Sequence, residues 1–406
     1  MSAFASPYAW IDVALSRWKV APLGTHFDER NETVSDADFQ PLSVTRNGVV
    51  PQLEHVAKTE NNSNRKLVRV GDFVINSRSD RRGSAGLSEF DGSVSVVYTV
   101  LTPRHSINGR FAHHLLRSTA FQEEFYRWGS GIVEDLWSTR YSAMKRIPLA
   151  LPPLDEQRAI ADYLDQETAQ IDALVAKQGE FIGLLRERRR AAVEHALSSI
   201  DANRAALRHF SALVAGSGFP LDLQGRADLE LPFFKVANLK SADRDGVLGR
   251  SEHTIERSTA KALRATVIPK GALVFAKVGA ALLLGRVGAL PDDGCIDNNM
   301  SALIFDKSID PKFARYLVLT FDFREFVLPG PVPSLDMEGL REFKVPVLSL
   351  DRQRAVADSL DEETSRIDTL ITKAEEHIAL AKERRSALIT AAVTGQFDVR
   401  TARKAG

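Results

Sequence analysis

LDEQRAIADYLDQETAQIDALVAKQGEFIGLLRERRRAA, residues 154–192, and LDRQRAVADSLDEETSRIDTLITKAEEHIALAKERRSAL, residues 350–388, are two versions of one segment. They align without a gap and roughly half their positions are identical, against about one in fifteen for unrelated stretches of ordinary composition. In the first copy Ile160, Leu164, Ile171, Leu174, Ile182 and Leu185 recur mostly at steps of three and four. Val356, Leu360, Ile367, Leu370, Ile378 and Ala381 do so in the second. That spacing draws a narrow apolar stripe along a long helix. Neither copy is interrupted by proline, and Ala, Leu, Glu and Arg dominate, so each can run as a helix of about 40 residues, roughly 60 Å long. A stripe this thin is buried only against a partner, and the other copy is the obvious one. Pro152-Pro153 stops the segment before the first helix, and Asp155 or Asp351 can cap a helix start.

The duplication continues more faintly upstream. KLVRVGDFVINSR (66–78), INGRFAHHLLRS (107–118) and IPLALPP (147–153) are answered in order by TVIPKGALVFAKVG (266–279), IDPKFARYLVLT (309–320) and FKVPVLS (343–349). Gly71 pairs with Gly271, Ile107 with Ile309, and Phe111 and Leu115 with Phe313 and Leu317. The chain thus reads as two rounds of globular domain plus long helix: 1–150, then 151–200, then 201–346, then 347–406 with a C-terminal tail. A length of 406 residues suits two domains of about 150 residues with added elements. The globular parts read as mixed α and β. Strands are expected at 67–70, 93–100, 233–236, 267–278 and 301–305, and short helices at 110–118 and 312–320.

Composition, 44% hydrophobic and 26% charged, is that of a folded soluble protein. No basic start leads into an apolar core and no stretch approaches about 18 apolar residues, so neither secretion nor membrane spanning is expected. The single Cys295 forms no internal disulfide and fits a reducing compartment, which makes the cytoplasm the expected location. Lys plus Arg and Asp plus Glu are both 53, so any nucleic-acid contact must come from local patches or a basic partner.

Catalytic signatures are missing. There is no Gly-rich phosphate cradle ending in Lys-Ser or Lys-Thr, and no Asn-Pro-Pro-aromatic or Asp-Pro-Pro-aromatic tetrapeptide of the amino-methyltransferase kind. The nine histidines are scattered and Cys295 has no spaced companions, so no metal site is expected. The neighbours His113 and His114 point in different directions on a helix. Asp155, Asp162, Asp165, Glu167 and Asp172 lie on a long charged helix, where a solvated or pairing face is the ordinary explanation.

Two globular domains, each leading through a hydrophobic, proline-containing segment into an L-D-x-Q-R helix start, resemble the specificity subunit of Type I restriction-modification systems over almost the whole chain. The residues that carry this are IPLALPPLDEQRAIADYLD from Ile147 and VPVLSLDRQRAVADSLDEET from Val345, with Gln157 and Gln353 in the family's recurring glutamine position. The second copy departs from the usual paired prolines with Leu348-Ser349. LVAGSGFP (213–220), LPFFKVANLK (231–240), GALVFAKVG (271–279) and IDNNMSALIF (296–305) look like the opening and central strands of a target-recognition domain. PLSVTRNGVV (41–50) and VGDFVINSR (70–78) are a more divergent version of the same.

The resemblance implies an α+β fold of two mixed α/β target-recognition domains separated by two long helices packed as an antiparallel coiled coil, with an internal pseudo-two-fold repeat. Each domain would read one half of a split double-stranded DNA target while the helices fix the gap. Two methyltransferase subunits would dock on the helices, at Leu154, Gln157, Ile160, Leu350, Gln353 and Val356, and restriction subunits can join them. The chain itself would be non-catalytic and hold no cofactor, with S-adenosylmethionine and ATP with magnesium on the partner subunits.

Base reading needs donors and acceptors at groove edges, Arg or Lys for guanine and Asn or Gln for adenine. The candidates are Arg46, Asn47, Asn76, Arg78, Arg81 and Arg82 in the first domain. In the second they are Asn238, Lys240, Lys277, Arg286, Asn298 and Asn299. Plain surface solvation or phosphate contact is the competing reading for each one. The late-helix cations Arg186, Arg188, Arg189, Arg190, Lys382, Arg384 and Arg385 either face DNA or an acidic partner, or simply pair with neighbouring glutamates. A different class of function, a coiled-coil scaffold whose globular ends bind proteins without DNA specificity, is compatible with the neutral overall charge.

Overall fold

In the computed structural model the described residues are 9–52, 64–78, 83–131, 137–243 and 245–402. They form a mixed α and β chain that divides into two compact units, Met1–Gly179 with Glu376–Gly406, and Glu180–Glu375. Both repeated segments are unbroken helices, Leu154–Ser198 with 45 residues and Leu350–Val393 with 44. Each helix crosses from one unit into the other, so both units contain a half of each.

In the first unit Ile160, Ala161 and Leu164 of the first helix share a core with Ile389, Ala392 and Val393 of the second, and Arg385 meets Asp172 at 3.0 Å. In the second unit Val193 and Leu197 share a core with Ala357 and Leu360, Arg189 meets Asp368 at 3.0 Å and Arg186 meets Glu375 at 3.2 Å. Numbers rise on one helix as they fall on the other, so within each unit the pair is antiparallel. The buried stripe differs in detail from the one read off the spacing. Leu174 and Leu370 are about half exposed, while Thr168 and Thr364 are buried and hand their hydroxyls back to the carbonyls of Leu164 and Leu360, both at 2.7 Å. A threonine whose hydroxyl is satisfied within its own turn can be buried in the stripe.

The helices begin one residue earlier than the aspartates that were expected to cap them. Asp155 and Asp351 therefore sit inside the first turn, where their charge suits the helix dipole. At the second helix the capping acceptor is Ser349, whose Oγ takes the Arg352 N–H at 3.4 Å.

Each unit is centred on a four-stranded antiparallel sheet of the same order. In the first, strands run Phe27–Glu29, Tyr98–Pro103, Phe73–Asn76 and Ala85–Leu87; in the second, Ser211–Ala215, Met300–Phe305, Leu273–Ala276 and Val287–Ala289. A two-stranded ribbon beside the long helix is also repeated, Lys19–Pro22 with Pro148–Leu151 and Arg204–Ala206 with Lys344–Pro346. Gly71 and Gly271 both turn the chain into the third strand of the sheet order with φ of +91° and +81°. That is the left-handed backbone that makes glycine the fitting residue there. The short helices appear at Gly109–Arg117 and Pro311–Leu319, capped by Asn108 and Asp310.

Two strand expectations are corrected. The run 93–100 is split into Gly92–Ser95 and the start of Tyr98–Pro103 by an exposed Val96-Val97 turn. The run 267–278 is a strand only over Leu273–Ala276, because Gly271 bends its approach and the chain leaves the ladder at Lys277.

Candidate nucleic-acid interface

The helix starts hold the globular parts through one repeated device. The Gln157 side chain accepts the Asn108 N–H at 2.8 Å and donates to the carbonyls of Ser106 at 3.2 Å and Pro152 at 2.9 Å. Gln353 accepts the Asp310 N–H at 2.7 Å and donates to Ser308 at 2.9 Å and Leu348 at 3.0 Å. Both side chains are 1% exposed. Gln157, Gln353 and Ile160, expected to meet a partner subunit, are therefore buried inside their own units. The two glutamine amides are engaged by backbone groups of their own units and tie helix to domain. Leu154 and Leu350 are about one-third exposed and Val356 is half-buried against the second unit's core.

A second repeated contact, which the sequence reading left as an ordinary charged helix face, lies one and two turns along. In the first unit Arg110 reaches Asp162 at 2.7 Å and Asp165 at 2.9 Å, and His114 Nε2 lies 2.6 Å from Asp165. In the second, Lys312 reaches Asp358 at 3.2 Å and Asp361 at 2.9 Å, Arg315 pairs with Asp361, and the Tyr316 hydroxyl donates to Asp361 at 2.6 Å. Burial lowers the His114 pKa against the opposing pull of Asp165, and burial pushes His113 down to about 3, with Arg117 adding to it. Both imidazoles are therefore neutral near pH 7. Burial raises the Tyr316 phenol. Asp361 is pushed up by burial, but hydrogen bonds from Tyr316 and Lys312 outweigh that and its pKa falls. The signal that could have found these contacts is the exact recurrence of Asp162 and Asp165 as Asp358 and Asp361, opposite Arg110 and Lys312 in the short helices.

Sheet register gathers the second unit's candidates. Ala276 stands opposite Met300, Phe275 opposite Val287 and Ala215 opposite Ser301, so Lys277, Arg286, Asn298 and Asn299 emerge at one end of one sheet. The Lys277 N–H donates to the Asn299 carbonyl at 2.8 Å and the Asn299 N–H to the Asp297 carboxylate at 2.8 Å, which fixes the loop backbones. Gly216 packs against this loop so closely that a Cβ would lie 1.9 Å from the Asp297 carbonyl oxygen. Arg286, Asn298 and Asn299 are exposed and Lys277 half-buried. Among the described residues their side chains make no hydrogen bond or ion pair, leaving every donor available. Lys240 is exposed on the turn Val236–Ser241, whereas Asn238 on the same turn spends its Oδ1 on the Lys235 N–H at 2.7 Å.

The first unit's set is less uniform. Arg78 is exposed where the third strand of the sheet order ends. Asn76 is 5% exposed and accepts the Arg78 N–H at 3.0 Å, so it shapes the loop and, unlike Arg78, is not exposed. Arg46 and Asn47 form the exposed tip of the hairpin Leu42–Thr45 and Gly48–Pro51. Arg46 lines a cleft with Gly83. Arg81 and Arg82 lie outside the described residues.

Among the described residues no group of three or more His, Cys, Asp or Glu is placed to hold a metal, and no helix is long and apolar enough to cross a membrane. Cys295 is buried in the short strand Cys295–Ile296, its thiol pushed up to about 11 by burial.

No protein-family model matches the chain, and no curated protein matches it in sequence. Solved structures do. A chain from work on the complex assembly and conformational transition of the type I R-M system is 15% identical with a TM-score of 0.72, over 94% of this chain and 98% of that one. The HsdS subunit from Thermoanaerobacter tengcongensis is 16% identical with a TM-score of 0.50, over 94% of this chain and 97% of that one. Over the 94% of its length that these comparisons cover, the protein has the fold of a Type I restriction-modification specificity subunit.

Proposed function

We propose that this chain is the DNA-recognition subunit of a Type I restriction-modification complex, reading a bipartite target with one unit per half-site. The observation that carries the proposal is the cluster of unengaged donors, Lys277, Arg286, Asn298 and Asn299, at one sheet end of a chain that follows the HsdS fold over 94% of its length. Arg or Lys beside two Asn is a set able to hydrogen-bond guanine and adenine edges in a major groove. In the first unit Arg46, Asn47, Arg78 and, on sequence alone, Arg81 and Arg82 take the corresponding role.

In this reading the chain performs no chemistry. Methyltransferase subunits dock on exposed faces of the long helices, restriction subunits can join, and S-adenosylmethionine and ATP with magnesium are bound by those partners. The domain limits 1–150 and 201–346 mark the two readers in sequence.

The test is selection from randomised duplexes by the chain co-purified with its methyltransferase partner. Recovered sequences are expected to share two short motifs at a fixed gap. A single continuous motif, or none, overturns the proposal.

A further inference from the structure

The hairpin Val327–Leu328 with Ser334–Leu335 is built onto the end of the second unit's sheet where the unengaged donors emerge. The Lys277 N–H goes to the Asn299 carbonyl, and the Lys277 carbonyl accepts the Leu335 N–H at 2.9 Å. Val278 lies opposite Ser334, and the Gly279 N–H donates to the Pro333 carbonyl at 2.7 Å. The backbone of one residue, Lys277, thus joins the asparagine loop on one side to the hairpin on the other. The root is held from within as well. Leu335 is 5% exposed in the unit's core, and Phe326 packs edge-on against Phe343 with ring centres 5.5 Å apart.

The tip differs in character from the polar loops beside it. From Val327 to Leu335 the chain reads VLPGPVPSL, with no charge and three prolines. Pro329, Pro331 and Pro333 have no N–H and a fixed φ, so the loop offers few donors and has little freedom to lose on binding. Leu328 and Val332 are 46% and 56% exposed, and Pro329, Gly330 and Pro331 are exposed between them. A segment without a cation has no charge with which to neutralise a phosphate. What it presents is apolar surface on a stiff support.

The first unit has a counterpart of the root. Ser130 and Ser138 pair through two backbone hydrogen bonds at 3.1 and 3.0 Å, and Ser138 lies opposite Arg78 as Ser334 lies opposite Val278. The stretch 132–136 between them lies outside the described residues, but its sequence, IVEDL, carries Glu134 and Asp135, whereas the second unit's loop is uncharged. The root is common to both units and the content of the tip is not, which is the pattern expected of a part that distinguishes one target from another.

We propose that the Leu328–Val332 tip selects a thymine, its apolar side chains meeting the C5-methyl group in the major groove. This rests on the reading of the chain as a DNA-recognition subunit and supplies what the neighbouring donors lack. Lys277, Arg286, Asn298 and Asn299 can bond guanine and adenine edges, but the thymine methyl is the one apolar substituent on a major-groove edge, and an apolar side chain is what answers it.

The test removes that methyl and nothing else. The chain co-purified with its methyltransferase partner is bound to its selected duplex, and each thymine of the motif, on either strand, is replaced in turn by uracil, which keeps every hydrogen-bonding group. Affinity is read by fluorescence anisotropy across a salt series. Wild type is expected to lose about fourfold at one position, the effect of one buried methyl group. The double variant Leu328→Ser with Val332→Thr is expected to bind the thymine duplex about fourfold more weakly than wild type and to treat thymine and uracil there alike. Both residues are exposed and uncharged, so its Tm and salt slope should stay those of wild type. No uracil-sensitive position, a sensitivity that survives in the double variant, or a flatter salt slope in that variant overturns the proposal. A selection that recovers no bipartite motif removes the underlying reading as well, whereas a recovered motif indifferent to every uracil overturns the methyl contact alone.

Discussion

Beside the long helices the two units are built from the same parts, and away from them they diverge. Gln157 and Gln353 make the same three hydrogen bonds, and Asp165 and Asp361 receive the same short helix. At the outer parts the first unit has an antiparallel sheet of Thr33–Val34, Arg65–Val68 and Gly92–Ser95 with a separate hairpin. The second instead has Leu231–Phe234 paired antiparallel to Thr254–Ile255 and parallel to Cys295–Ile296. The base is constrained because one buried glutamine must satisfy a donor and two carbonyls at once. The tips carry small cores of their own and can change without disturbing it.

The strongest way to break this comparison is at the glutamines. Gln157→Ala and Gln353→Ala each strand a buried N–H and two carbonyls, and each is expected to cost about 3 kcal/mol. Hydrogen exchange resolved by unit measures this. Equal losses in the unit concerned support equivalence, and a silent substitution in either unit refutes it. Next, Lys277→Ala is expected to cost about 2 kcal/mol of binding on duplexes carrying one half-site and nothing on mutated versions of that half-site. Uniform weakening across sequences in gel shifts would make Lys277 a phosphate contact.

The carboxylates refine the comparison. Asp361→Ala is expected to cost about 1.5 kcal/mol because it also removes the nearer partner of the buried Tyr316 hydroxyl, leaving it Thr364 Oγ1 at 3.0 Å, and Asp165→Ala somewhat less, as its carboxylate is 41% exposed. Urea unfolding followed by exchange in each unit measures the order. Smallest is a pH effect confined to the first unit. The fold keeps His113 and His114 neutral whereas the unfolded chain gains protons below about pH 6.5, so stability falls as pH drops beneath that value and returns above it. The loss from His113 is expected to be about 1 kcal/mol near pH 5.5, with His114 acting in the same direction. The double change His113→Gln with His114→Tyr should flatten the Tm profile between pH 7 and 5.5, and an unaltered profile would count against it.

What could be read from the amino-acid order follows the same division. The long helices, the equivalence of positions 71 and 271 and the short helices were legible because repetition and periodicity are local signals, whereas the turn at Gly271 was not, and a strand was expected to run through it. The burial of Gln157 and Gln353 was not legible, since a recurring polar residue at a helix start looks the same whether it faces solvent or three backbone groups. The burial of Asn76 was hidden for a related reason. Its burial depends on sheet pairing with Tyr98, which lies across a loop. Lys277, Arg286, Asn298 and Asn299 come from separate segments, and their meeting at one sheet end is a consequence of register, which spacing does not encode.

The core of the first unit takes Ile389, Ala392, Val393 and Val399 from the far end of the chain. During synthesis its earlier residues must therefore wait, with part of their apolar surface uncovered, while the whole of the second unit is made. The second unit, drawn from one continuous stretch, is free to close first. The order of maturation is thus the reverse of the order of translation, and losing a few residues near position 390 should damage the half of the protein that was made first.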